Sequence, residues 1–178
     1  MRVIAGRFKG RRLNAPTWEG LRPTSDKLRE TLFNILAPRV EGARVVDGYA
    51  GTGAIGIEAL SRGAAHVTFI ESHRRAAALI EENLRACGVE QGYTIQCADV
   101  VAALDAPASA FDLILLDPPY DTENVSAALD AAARHLAGDG LIVLERATRR
   151  EPEESEAVIR VRDVKSGDST LTFFERRP

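Results

Sequence analysis

The fold is decided by one stretch, Val45-Val46-Asp47-Gly48-Tyr49-Ala50-Gly51-Thr52-Gly53-Ala54-Ile55-Gly56. It predicts a buried strand, a glycine-rich loop and the start of a helix, which is the arrangement of a dinucleotide-type crevice. Gly51 and Gly53 let the backbone approach a ligand closely, and Gly56 lets the helix pack tightly on the strand. Such glycines alone are weak evidence, so other cofactor-binding residues are needed elsewhere in the chain.

Two carboxylates are placed to bind a cofactor together with the glycine-rich loop. The next apolar strand, 67–70, ends at Glu71, about 20 residues past the glycines, where an acidic side chain can accept both hydroxyls of a ribose. Asp47 lies four residues before Gly51, at the end of the first strand. A carboxylate there suits the cationic methionyl end of S-adenosylmethionine better than an anionic pyrophosphate, which disfavours a nicotinamide enzyme.

From residue 44 onward, apolar strands alternate with helices, which predicts βαβ units and a parallel sheet. The last two strands are joined through residues 165–168 only, so they are expected to form an antiparallel hairpin. The predicted fold is α/β and Rossmann-like, a seven-stranded mostly parallel sheet with a C-terminal antiparallel hairpin. The predicted strands are 44–47, 66–70, 93–97, 111–116, 141–145, 157–162 and 169–175; the helices are 54–61, 74–87, 100–104 and 126–136, with Gly63, Gly88 and Gly138 as C-terminal stops.

The N-terminal part of the chain is basic, although the net charge of the whole is −3. Residues 1–29 carry eight basic and two acidic side chains, a balance of +6 against −9 for the remainder. A basic arm on an acidic body is the electrostatic signature of a nucleic-acid partner, although such an arm can also be a solvated surface.

A small β-hairpin is predicted from residues 2–5 and 11–13. An amphipathic helix follows, with Thr24 as its N-cap and Pro38 as its end. Its polar face is expected to carry Lys27, Arg29 and Glu30. We therefore divide the chain into an RNA-facing extension, 1–43, and a catalytic domain, 44–178.

A second motif, Asp117-Pro118-Pro119-Tyr120, directly follows the apolar run 113–116. Proline fixes φ and has no N–H. The carboxylate of Asp117 and the carbonyl of Pro118 are therefore expected to accept hydrogens from an exocyclic amino group, with the Tyr120 ring as a stacking platform. The alternative is an ordinary strand followed by a tight turn.

Acidic residues follow the first four strands and should share one crevice, because ligands of such sheets bind beyond the carboxyl ends of the strands. They are Asp47, Glu71, Asp99 and Asp117. Asp99 is placed either to accept from the adenine amino group or to cap a helix, and both roles stay open.

The chain resembles the RsmD family of bacterial 16S rRNA guanine-N2 methyltransferases. The resemblance extends from residue 2 to the final hairpin and implies S-adenosyl-L-methionine as cofactor, a guanine of the guanine-966 type as target, and the small ribosomal subunit as partner. The residues that carry it are Arg2-Val3-Ile4-Ala5-Gly6, Leu21-Arg22-Pro23-Thr24, Arg29-Glu30-Thr31-Leu32-Phe33-Asn34, the 47–56 loop and the 117–120 motif.

On that resemblance, three sets of site residues are expected. The catalytic residues are Asp117, Pro118, Pro119 and Tyr120, and transfer to guanine N2 is direct. The cofactor-binding residues are Asp47, Tyr49, Gly51, Thr52, Gly53, Glu71, Ser72, Asp99 and Val100. The RNA-binding residues are Arg7, Lys9, Arg11, Arg12, Arg22, Thr24 and Arg29, mostly through phosphate contacts.

Other functions share parts of these patterns. A DNA adenine-N6 or cytosine-N4 methyltransferase uses the same tetrapeptide chemistry but usually has a separate target-recognition region. A protein glutamine methyltransferase commonly has Asn where this chain has Asp117. A non-catalytic RNA-binding assembly factor would not need the complete set of Asp47, Gly51, Gly53, Glu71 and Asp117. A nicotinamide oxidoreductase would leave residues 117–120 unexplained.

The composition predicts a cytoplasmic protein, since no apolar run approaches the roughly 18 residues of a membrane span and no signal peptide is recognisable. Cys87 and Cys97 are expected to be buried, reduced thiols. No metal site is expected, because the cysteines and histidines lack ligand spacing. A monomer is the default, and Trp18 is expected to cover the core rather than to stack on RNA.

Overall fold

The computed structural model describes residues 1–18, 24–105, 110–151 and 155–178. The elements in these residues are, in chain order, α1 (Asp26–Val40), β1 (Arg44–Gly48), α2 (Ala54–Ser61), β2 (His66–Ile70), α3 (Arg74–Ala86), β3 (Tyr93–Gln96), α4 (Val100–Ala103), β4 (Phe111–Leu116), α5 (Val125–His135), β5 (Leu136–Ala147), β6 (Val158–Ser166) and β7 (Ser169–Arg176). None of the described helices is long and apolar enough to cross a membrane.

The strands form one seven-stranded sheet in the order β3-β2-β1-β4-β5-β7-β6. The first five strands are parallel, and β7 pairs antiparallel with both β5 and β6. The predicted sheet and its C-terminal hairpin are therefore confirmed. β1 lies between β2 and β4, so the chain reverses its direction of travel across the sheet there, and ligands of doubly wound sheets bind at this point.

The core has two layers, one on each face of the sheet. On one face α1, α2 and α3 pack against inward side chains such as Val45 and Leu115. On the other face α4 and α5 pack against side chains such as Val46 and Leu116. Successive residues of a strand point to opposite faces, so the continuous apolar runs of β1 and β4 follow from burial on both sides.

The N-terminal hairpin is present as an antiparallel bridge between Arg2 and Arg12. It is held against α2 by side chains of that helix. The buried carboxylate of Glu58 accepts hydrogen bonds from the N–H groups of Ile4 and Ala5, at 2.8 Å and 3.0 Å. Val3 and Leu13 enter the same core layer as α2, which joins the N-terminal part and the sheet in one packing unit. A specialised RNA-facing role for residues 1–43 stays a prediction.

Arg29 corrects one expectation. Its side chain is fully buried rather than on the polar face of α1. It donates to the carbonyl of Arg2 at 2.8 Å and to Asp26 Oδ1 at 2.6 Å, and it lies 4.0 Å from Glu58. The guanidinium is thus used to tie the hairpin, α1 and α2 together, and it has no exposed surface with which to contact RNA.

Several predicted boundaries also change. The N-cap of α1 is Ser25, whose Oγ accepts from the N–H of Leu28, and α1 continues through Pro38 to Val40. Gly138 does not end a helix, because β5 begins directly after α5 and contains it.

The two cysteines differ in their surroundings. Cys87 is buried as expected, and burial raises the pKa of its thiol, which keeps it protonated. Cys97 is exposed, so the expectation of burial was wrong there, because β3 ends one residue earlier at Gln96.

Candidate active site

A cleft of about 570 Å³ opens at the carboxyl ends of β1, β2 and β4. Its walls are the loop after β1, the residues after β2, the residues after β4 and parts of the N-terminal segment. The predicted site residues in its lining are Thr24, Tyr49, Gly51, Thr52, Glu71, Ser72 and all four residues Asp117, Pro118, Pro119 and Tyr120. The lining does not include Asp47, Gly53, Asp99 or Val100.

Asp47 lies beneath the cleft and is 1% exposed. Its Oδ2 accepts from the N–H of Gly56 at 2.8 Å, whereas Oδ1 has no hydrogen-bond partner among the described residues. Burial raises the pKa of this carboxyl well above its ordinary value, against the lowering effect of the Gly56 bond, and the negative charges of Asp117 and Glu71 raise it further. An orphaned buried oxygen in this position fits a ligand that brings a hydrogen-bond donor or a positive charge.

The loop after β1 has the backbone that close approach of a ligand needs. Tyr49, Gly51 and Gly53 all have positive φ, at 60°, 56° and 76°. Tyr49 is thus a non-glycine residue in the left-handed region, a conformation that concentrates at functional sites. A Cβ on Gly56 would lie 2.2 Å from the Phe69 ring, which confirms the tight packing of α2 on the sheet.

Glu71 is held by the backbone on both sides. Its Oε2 accepts from the N–H of Gly51 at 2.8 Å and its Oε1 from the N–H of His73 at 2.7 Å. These bonds fix the carboxylate at the cleft wall, and each oxygen retains acceptor capacity for a further donor. Its role toward ribose hydroxyls stays a prediction.

Asp99 is the N-cap of α4. Its Oδ1 accepts from the N–H groups of Val101 and Ala102, at 2.9 Å and 3.2 Å. Of the two roles left open by the sequence, the helix cap is the one observed, and a contact of Asp99 with adenine stays a prediction. Val100 is 2% exposed, so its side chain belongs to the core and only its backbone could face a cofactor.

The 117–120 motif forms the opposite wall of the cleft. The N–H of Asp117 donates to the carbonyl of Gly48 at 3.3 Å, which ties the motif to β1. Asp117 Oδ2 accepts a hydrogen bond from the hydroxyl of Thr24. The hydroxyl of Tyr120 donates to Glu145 Oε1 at 2.9 Å and lies 3.1 Å from Ser169 Oγ. The Asp117 carboxylate and the Tyr120 side chain are therefore held at one wall together with Pro118. Their role toward an amino group stays a prediction.

Sequence reasoning missed part of this wall. Thr24 was assigned to capping and RNA contact, yet its hydroxyl bonds to Asp117. Glu145 and Ser169 line the cleft and were not singled out. The signal for Glu145 was present, because it follows the apolar run 141–144 just as Asp117 follows 113–116.

Trp18 lines the cleft rather than covering the core. Its ring stacks on His73, with centroids 6.0 Å apart and planes 16° apart, and the Arg75 guanidinium lies 4.6 Å from its centroid. The expectation of core packing was therefore wrong, because the N-terminal segment carries this residue to the start of α3.

The basic hairpin lies away from the cleft. The N–H of Arg7 donates to the carbonyl of Ser61 at the end of α2, and Arg11 lies beside Gly88 just after α3. A helix of the length of α3 spans about 20 Å, and the cleft is at its other end. The exposed cations there are Arg2 and the predicted RNA-binding residues Arg7, Lys9, Arg11 and Arg12. Arg22 lies outside the described residues.

Comparison with known proteins identifies the family. A family model described as "Conserved hypothetical protein 95" matches residues 1–175. The chain belongs to this family. A Bacillus subtilis (strain 168) protein named "Putative rRNA methyltransferase YlbH" is 35% identical over 183 residues, covering 99% of this chain and 100% of that protein.

Further similarities support the RsmD assignment. "Ribosomal RNA small subunit methyltransferase D" of Haemophilus influenzae is 42% identical over 124 residues, which are 67% of this chain and 64% of that protein. The solved structure of "Putative methyltransferase yhhF" from Escherichia coli superposes with a TM-score of 0.87 at 31% identity, covering 99% of this chain and 97% of that one. The predicted RsmD family and class I S-adenosylmethionine-dependent methyltransferase fold are confirmed.

Proposed function

We propose that this RsmD-family protein transfers a methyl group to the exocyclic N2 of a guanine in 16S rRNA, of the guanine-966 type, on the small ribosomal subunit. The observation that carries the proposal is that the 117–120 motif and the glycine-rich loop line one cleft. The coarser activity, S-adenosylmethionine-dependent methylation of rRNA, agrees with the names of the relatives.

S-adenosyl-L-methionine, the cofactor, supplies an electrophilic methyl group to which the N2 lone pair forms its new bond, with S-adenosylhomocysteine and one amino proton as the other products. We assign its methionyl end to the side of Asp47 and its ribose to Glu71. The unpartnered oxygen of Asp47 and the fixed carboxylate of Glu71 support these positions.

The residues of the opposite wall hold the acceptor nitrogen. Asp117 and the carbonyl of Pro118 would each accept one amino hydrogen, which aims the lone pair and raises electron density on nitrogen. Tyr120 would stack on the extruded base, and its hydrogen bond to Glu145 holds the ring at the cleft wall. Catalysis is then mostly positioning, since the methylated nitrogen is acidic and loses its proton late.

The exposed cations of the hairpin extend the proposed footprint on RNA. They lie near the C-terminal ends of α2 and α3, whereas the cleft is at the N-terminal ends of these helices. Such a span suits a folded rRNA surface or an assembled subunit better than a short single strand. A ribosomal substrate would place the protein in the cytoplasm.

The test is transfer of labelled methyl to small subunits, naked 16S rRNA and duplex DNA in parallel, with the product nucleoside identified by mass spectrometry. N2-methylguanosine from subunits or rRNA is the expected product. N6-methyladenine in DNA would move the protein to the rival enzyme class, and donor binding without transfer would make it an RNA-binding factor.

A further inference from the structure

Glu145 lies beside Asp117 at the cleft. In the parallel pairing of β4 and β5, Leu115 is opposite Val143 and Leu116 is opposite Leu144. The next residues are Asp117 and Glu145, on strands about 4.8 Å apart and on the same face of the sheet. Both side chains line the cleft.

Only one of the two carboxylate oxygens of Glu145 accepts a hydrogen bond from the described residues. It is 7% exposed, and its Oε1 accepts from the Tyr120 hydroxyl. Within the described parts of the chain, no group donates to Oε2 and no cation forms an ion pair with this side chain. Glu145 lines the cleft, and Oε2 is not among the fully enclosed oxygens that lack a partner, so this oxygen is available to a ligand that brings an N–H donor.

We propose that Glu145 is a specificity-determining residue that accepts the N1–H of the target guanine while Asp117 and the Pro118 carbonyl hold its N2 amino group. This inference rests on the proposed function. Guanine carries N1–H next to its amino group, and two neighbouring carboxylates match these donors. Adenine carries an unprotonated N1 next to its amino group, which would face the Glu145 carboxylate lone pair to lone pair.

The test replaces the target guanine by 2-aminopurine, which keeps the amino group at C2 but has an acceptor at N1. The analogue is introduced by ligating a synthetic oligonucleotide into the substrate rRNA. Because a site built to bond a donor rejects an analogue that lacks it, the wild-type protein should prefer guanine by at least about 100-fold in kcat/KM. Equal use of both bases by the wild type would overturn the inference without any variant.

The variant Glu145→Gln supplies an amide N–H that can donate to the N1 of 2-aminopurine. We expect its preference for guanine to fall by at least about tenfold relative to the wild type, with unchanged affinity for S-adenosylmethionine. The ratio between the two proteins cancels the intrinsic difference in reactivity of the bases. The control Glu175→Gln makes the same substitution at an exposed position of β7 and should leave the preference unchanged.

A purely supporting role gives a different result. If Glu145 only holds Tyr120, then Glu145→Gln and Tyr120→Phe should slow both bases equally and leave the preference intact, which would overturn the inference. If the wild type forms no N2-methylguanosine from any substrate, the proposed function itself fails. The identity of the product nucleoside therefore separates the two failures.

Discussion

The hydroxyl of Thr24 donates a hydrogen bond to Oδ2 of Asp117, across 93 residues of chain. Thr24 directly precedes the N-cap of α1, and Asp117 directly follows β4. The N-terminal segment therefore contacts the residue that we assign to holding the acceptor nitrogen. A residue outside the sheet, Thr24, therefore orients Oδ2 of Asp117.

Thr24 is accordingly expected to act as a positioning residue. Replacing it with Val keeps the shape and removes the donor, and a hydrogen bond to a charged group contributes about 1.5–3 kcal/mol, so kcat should fall about 10- to 100-fold. The KM for S-adenosylmethionine should change little, and Thr24→Ser should restore most of the rate. A Val variant with wild-type kcat would contradict this role.

Asp117 itself should be indispensable for turnover. Asp117→Ala removes the acceptor of one amino hydrogen, so methyl transfer should be lost while the affinity for S-adenosylmethionine stays within a few fold. Single-turnover transfer to subunits and calorimetric titration with the cofactor measure the two quantities separately. Retained turnover would refute the assignment, and a matching loss of cofactor affinity would indicate a structural role.

Asp47 should make stability depend on pH. Its pKa in the folded protein is raised above 3.8, so the folded state binds more protons than the unfolded state between 3.8 and the raised value. The free energy of unfolding should therefore decrease as pH rises through that interval and stay lower above it. In Asp47→Asn this decrease should be reduced, and Tm near neutral pH should exceed that of the wild type.

Melting curves from about pH 4 to about pH 8 measure this effect. The exposed turn residue Asp168, replaced by Asn, is the control and should keep the wild-type pH dependence. Added S-adenosylmethionine should raise Tm less in Asp47→Asn than in the wild type, because the variant loses a carboxylate for the cationic methionyl end. An equal rise in Tm in both proteins would show that Asp47 does not contribute to cofactor binding.

The basic hairpin should contribute to RNA affinity without reading sequence. Replacing Arg11 and Arg12 together by Gln should weaken RNA binding and reduce the slope of log K against log salt by up to about 2, since each phosphate contact contributes about 0.9. Arg162 and Lys165, exposed on the edge strand β6, provide a control pair with the same loss of charge. An unchanged slope in the hairpin variant would count against the proposed footprint.

The apolar runs and glycines of the sequence were sufficient to predict the sheet and the position of the cleft. β2, β4 and α2 begin and end where the sequence predicts, because strands buried on both faces are continuous apolar runs and because glycines mark the loop. Asp117 and Glu71 lie at strand ends for the same reason. Parallel strands bring their carboxyl ends to one edge, so local patterns were sufficient to place these carboxylates together.

Which polar groups contact each other depends on how the helices, the hairpin and the sheet pack together. The sequence pattern of α1 predicts that Arg29 is exposed, but the hairpin packs over it. Its buried guanidinium donates a hydrogen bond to the carbonyl of Arg2. Thr24 meets Asp117, and Glu145 meets Tyr120, across 93 and 25 residues of chain. The hairpin cations lie at the far end of α3 rather than at the cleft. Burial and long-range hydrogen bonding depend on how the layers dock, and side-chain periodicity along a single element carries no information about docking.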